Sequence, residues 1–150
     1  MKTFIYVLLI IAIFAMPAAA QKAKPKVAAL PAGISDWGGQ DSDKLLQDPV
    51  IKARLKTLLG KTNYAVFMES FETLTPITKD GDVLFASGCL IHACTHLESA
   101  IAIDVRANTI HAAIYNDEKK TKYFNERSSK TPAAINDWAS RLMDLKSHKN

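Results

Sequence analysis

The apolar positions change period along the chain, and the change divides it into elements. From Ile51 they recur at Leu55, Leu58 and Leu59, with Lys52, Arg54 and Lys56 on the other faces. That is the spacing of an amphipathic helix. Asp48-Pro49 is its start, because aspartate accepts from free backbone N–H groups and proline suits the first helical position. Gly60 is its stop. Tyr64, Phe67, Met68 and Phe71 form the apolar stripe of a second short helix over residues 63–71, and the stripe reads as core. Beyond it the period shortens. Residues 72–79 alternate threonine with apolar side chains, Lys79-Asp80-Gly81-Asp82 is a turn signal, and residues 83–87 read as a strand leading into Gly88. Ile101, Ile103 and Val105 alternate with Ala102, Asp104 and Arg106. Ile110, Ala112 and Ile114 alternate with His111, and a further strand covers residues 119–124. Ala107-Asn108 and Asn116-Asp117-Glu118 are tight connections, so neighbouring strands should run antiparallel as a meander. Thr131-Pro132 opens a last helix with Ile135, Trp138, Ala139, Leu142 and Met143 on one face, ending near Leu145. The expected fold is α+β: an antiparallel meander sheet flanked by N-terminal helices and one C-terminal helix, the helices covering one sheet face.

The ends read differently. Residues 1–20 have a basic start at Lys2, an uncharged apolar run and small residues Ala18-Ala19-Ala20. This is the pattern of a secretory signal peptide cleaved before Gln21. The run is too short for a membrane span, which takes about 20 apolar residues. No cysteine follows the cleavage site to carry a lipid anchor. Residues 21–43 show no sustained period and read as a flexible tail, with Trp37 as the residue suited to dock on the domain. The domain is expected over residues 44–146, with a short tail over 147–150.

Charge adds little. A net charge of +4 is mild, and the lysines are interleaved with acids. A solvated surface accounts for them, and the aromatic and basic interleaving expected of a nucleic-acid binder is missing. No membrane partner and no cofactor are expected.

The chemistry gathers in Gly88-Cys89-Leu90-Ile91-His92-Ala93-Cys94, which holds both cysteines of the chain. In an oxidising compartment two cysteines pair. Such a ring would present His92 on a short rigid loop, and rigidity lowers the ordering cost of binding. Leu90 and Ile91 exposed there would suit a pocket of a partner protein. His92 can donate and accept hydrogen bonds near neutral pH. Three other readings stay open. The ring is a plain staple with a surface histidine, or the chain is an interaction module without an enzyme target. In the third, Cys89, His92, Cys94 and His96 hold a metal, although their spacing matches no usual zinc pattern. A catalytic Cys94–His96 pair fits poorly, because an oxidised cysteine cannot attack. Asp80, Asp82, Asp104 and Asp117 lie mostly in turns without a paired catalytic arrangement, so no enzymatic activity is expected.

These residues resemble the Ivy family, periplasmic inhibitors of vertebrate c-type lysozyme. That family carries a short disulfide loop of pattern Cys-Lys-Pro-His-Asp-Cys. Cys89, His92 and Cys94 keep its cysteines and histidine at the same spacing, while Leu90, Ile91 and Ala93 replace its Lys, Pro and Asp. The similar layout covers roughly residues 48–145. The resemblance implies a loop that enters the lysozyme cleft, with His92 meeting the catalytic carboxylates and Cys89–Cys94 as the clamp. It also implies a homodimer in many members. The implied partner is a lysozyme, or a bacterial lytic transglycosylase with a similar cleft.

Overall fold

The computed structural model describes residues 27–148; the expected signal peptide lies outside them. Among the described residues three α-helices, α1 (Asp43–Gln47), α2 (Pro49–Glu69) and α3 (Ala133–Ser147), accompany six strands. The strands are β1 (Thr73–Leu74), β2 (Thr78–Asp80), β3 (Val83–Cys89), β4 (Leu97–Asp104), β5 (Thr109–Asn116) and β6 (Lys122–Asn125). All pairings are antiparallel in the order β1-β3-β4-β5-β6, with β2 also on β3. The α+β meander is the fold the periodicities predict.

Local signals act where expected. The Asp48 carboxylate accepts from the Val50 and Ile51 amides at 2.9 and 3.0 Å. Gly60 adopts φ 70°, ψ 168° and breaks α2 into two helical halves. Without a Cβ, glycine enters this region at little cost.

Several expectations are corrected. The helices do not share one sheet face. Ile51, Leu55, Leu59 and Phe67 of α2 pack with Leu84, Ile101, Ile103 and Ile110 on one side. Ile135, Trp138, Ala139 and Leu142 of α3 pack on Ala100, Ala102, Ala113 and Tyr115 on the other. Alanines at alternate strand positions read as a lightly apolar outer face. Their short side chains instead leave depth for the Trp138 indole and its neighbours. Met143, assigned to the buried face of α3, is 49 % exposed.

The second correction concerns the tail. From Val27 onward the segment is docked: Ile34 and Trp37 are buried in the α2-side core. Its backbone completes the sheet where Pro76, which has no N–H, separates β1 from β2. Gly39 donates to the Ile77 carbonyl at 2.7 Å, and Ile77 donates to Gln40 at 2.8 Å. The Ser42 hydroxyl donates to the Thr75 carbonyl at 2.7 Å. A segment read as polar and irregular is thus held by backbone pairing and two buried anchors.

Arg54, expected on a solvated face, is buried. All its N–H donors are used, on Glu126, Asn108 and the Ala28 carbonyl. Glu126 also accepts from the Ile110 amide at 2.8 Å. This node ties the N-terminal segment, α2, the β4–β5 turn and the chain after β6.

Candidate functional site

The β3–β4 register pairs Cys89 with Glu98, so the cysteine loop is the tip of this hairpin. Gly88 precedes it where nothing larger fits. A Cβ there would lie 2.9 Å from both the Thr73 carbonyl oxygen and Phe71 Cδ1. Cys89 is buried and Cys94 exposed, and a disulfide joins them with Cα atoms 5.0 Å apart. Both sulfurs are therefore unavailable as thiolate nucleophiles or metal ligands. Among the described residues no group of three or more His, Cys, Asp or Glu side chains is placed to hold a metal ion.

Inside the ring, Leu90 and Ala93 are half-buried, Ile91 is 51 % exposed and His92 is exposed. Leu90 donates to the Leu97 carbonyl, and its own carbonyl accepts from Ala93 at 3.0 Å. His92 sits at φ 62° and Thr95 at φ 72°. The left-handed region is uncommon for residues with a Cβ and strained for a β-branched one. The hairpin thus turns back sharply at the histidine and again after Cys94, placing Ile91 and His92 at its outer end.

Three carboxylates meet the loop from below. Glu72, between α2 and β1, accepts from the Ile91 amide at 3.3 Å. Glu98 on β4 accepts from the Thr95 amide at 2.8 Å through Oε1 and from the Trp138 indole at 3.3 Å through Oε2. Asp117, just after β5, pairs with His96 through a side-chain contact and donates its amide to the His96 carbonyl at 3.0 Å. The acidity of this base is felt at Tyr115. Its phenol is pushed above the usual tyrosine value, first by burial and then by the carboxylates of Asp117 and Glu98.

The sequence pointed to the cysteines and His92 because their spacing is distinctive. It missed Glu72 and Glu98, since single acids near a turn carry no sign of the amide they will meet. Asp117 was visible only as a turn residue.

A groove of about 710 Å³ lies elsewhere, between the N-terminal half of α2 and the chain near Val27 and Arg127. Its floor includes Arg54 and Glu126, whose polar atoms are already engaged, so it offers little for chemistry. No helix among the described residues is long and apolar enough to cross a membrane.

Searches of curated proteins and of solved structures returned no significant match. The model of one family, described as inhibitor of vertebrate lysozyme (Ivy), matches residues 50–144. That span runs from α2 through the whole sheet and the disulfide loop into α3. The chain belongs to the Ivy family, the inhibitors of vertebrate lysozyme.

Proposed function

We propose that this chain is a periplasmic, non-enzymatic inhibitor that plugs the active-site cleft of a lysozyme-type peptidoglycan hydrolase with the Cys89–Cys94 loop. The observation that carries this reading is the exposed His92 at the outer end of a disulfide-closed hairpin in an Ivy-family chain. An imidazole entering a cleft built around carboxylates finds acceptors for its N–H, and in its protonated form it also brings charge. Ile91 supplies an apolar contact. Half of its surface is free to be covered, which corresponds to about 1 kcal/mol of a full side-chain burial. The apolar Leu90, Ile91 and Ala93 stand where the family loop has Lys, Pro and Asp. The surface that surrounds the histidine therefore favours a cleft with an apolar wall over one that reads a lysine.

Export through the signal peptide of residues 1–20 would put the inhibitor in the periplasm, where its disulfide persists. The target is a vertebrate c-type lysozyme or a bacterial lytic transglycosylase. Both classes work on the same polysaccharide. A homodimer, implied by resemblance, would appear as twice the chain mass in sedimentation.

An inhibition panel across lysozyme classes and bacterial lytic enzymes tests the reading. At least one enzyme should be inhibited stoichiometrically. His92→Ala should weaken that inhibition by more than about 1 kcal/mol, as for a lost polar contact in a desolvated site. Activity of every enzyme untouched by the purified chain would sink the proposal. It would leave a periplasmic interaction module, for which the apolar tip at Ile91 is the favouring observation.

A further inference from the structure

We infer that Glu98 is the positioning residue of the inhibitory loop: its carboxylate ties the loop's exit to the core and so sets the direction in which His92 points. The inference rests on the reading of the loop as the inhibitory contact, and goes beyond it by naming what aims the loop.

The reasoning begins with the loop's composition. Leu90-Ile91-His92-Ala93 contains neither proline nor a charged side chain, so within the ring the disulfide and the Ala93 N–H bond to the Leu90 carbonyl are what restrain it. The disulfide closes the ring but does not fix the ring's tilt on the hairpin. Tilt depends on the bonds at the ring's foot, Leu90 N–H to the Leu97 carbonyl and the His96 and Leu97 N–H groups to the Ala93 carbonyl, and on the backbone just outside the sulfurs that those bonds include. There Thr95 holds φ 72°, a conformation that for a β-branched residue persists only when its surroundings determine it. Glu98 meets the Thr95 amide at 2.8 Å. The same carboxylate receives the Trp138 indole N–H at 3.3 Å, and Trp138 is buried in the α3-side core. One side chain thus connects the strained exit residue to the buried core of that layer.

The register explains why position 98 can do this. Glu98 lies opposite Cys89 and two residues before Ala100, on the face that α3 covers. Leu97 and Ser99 face the other way, and the Ser99 hydroxyl is hydrogen-bonded to Ser70 below α2. A carboxylate has two acceptor oxygens, so it can serve the loop amide and the indole together. Both donors are neutral, and a half-buried carboxylate with neutral partners is a costly way to fill space. Glu72 makes the matching contact at the loop's entrance, accepting from the Ile91 amide. Its bond is longer, at 3.3 Å, and Glu72 is exposed, so the exit clamp carries more of the orientation.

The test uses the whole exported chain with two readouts: affinity for an inhibited lysozyme, and amide hydrogen exchange of loop residues in the free chain. Glu98→Met keeps the stem and removes both acceptors. It should speed exchange at the Thr95 amide and weaken affinity about tenfold. Glu98→Gln keeps an oxygen for the Thr95 amide and should restore exchange protection and most of the affinity. Glu72→Ala should affect the Ile91 amide and cost less affinity. A role in stability alone would lower the melting temperature while leaving the affinity of the folded variant unchanged, and that result overturns the proposal. So does a Thr95 amide in the unaltered chain that exchanges as fast as an unprotected peptide, an outcome that needs no variant to fold. If the unaltered chain and His92→Ala both fail to bind any lysozyme, the inhibitory reading fails instead, and the exchange data still decide whether Glu98 holds the loop.

Discussion

Gly88 is the residue at which the loop meets the rest of the sheet. The atoms that a Cβ would strike there belong partly to backbone, Thr73 O and Phe71 Cα, and backbone cannot swing aside as a flexible side chain does. Gly88→Ala is expected to lower unfolding free energy by about 1–3 kcal/mol in a urea titration. Arg54 is a second residue with a sharp prediction. Arg54→Ala strands the Glu126 carboxylate, which is only 10 % exposed, and should cost about 3–5 kcal/mol. The double change Arg54→Met with Glu126→Gln should recover part of that loss, because no uncompensated buried charge remains. Tyr115 provides a pH signature. Its folded pKa lies above the unfolded value near 10, so its contribution to stability is complete below pH 10 and drains as pH rises through the folded value. Tyr115→Phe should flatten the alkaline fall in melting temperature while changing the neutral-pH value little. Tyr64, raised by burial, keeps part of the fall in place. At this scale the sequence was legible where a residue type was rare or its spacing distinctive. Cys89, His92 and Cys94 stood out on those grounds. Arg54 sits between lysines on a helix, and nothing local announces a partner at Glu126.

Among the elements, the β3–β4 hairpin carries the loop proposed as the inhibitory contact, and that loop is the smallest unit that can be tested alone. Closing so short a ring removes little chain entropy, so Cys89→Ser with Cys94→Ser should cost roughly 2 kcal/mol of stability. The loss of inhibition should exceed what that destabilisation explains, because the open loop must be ordered on binding. Inhibition measured at a temperature where both forms are folded separates the two effects. Helix starts and stops were legible because Asp48, Pro49 and Gly60 act locally, Asp48 through its carboxylate on amides two and three residues on and Pro49 and Gly60 through their own backbone. Of the docking of the segment from Val27 to Ser42, only the anchor Trp37 was legible. Its hydrogen bonds go to Thr75 and Ile77, and its anchors Ile34 and Trp37 are too few to form a period. The placement of α3 was hidden for a related reason. Ala100, Ala102 and Ala113 resemble a lightly apolar outer face until a helix is laid on them.

For the whole molecule, the sheet is enclosed between α2 with the N-terminal segment on one side and α3 on the other, and the β3–β4 tip extends from one end. This division suits an inhibitor that acts by shape. In the proposed complex the loop at the tip would enter the cleft and the layered domain behind it would cover the cleft's mouth. The α+β class and the loop's place between strands could be read from periodicity. The two-sided enclosure could not, since it depends on which face each helix finds in space. The central claim is that the loop occupies the substrate cleft, and the most direct test is a competition titration. Binding of the chain to the lysozyme-type enzyme it inhibits best is measured while a chitooligosaccharide fills the cleft. The account predicts that apparent affinity falls in step with saccharide occupancy; unchanged affinity for the saccharide-filled enzyme would contradict it.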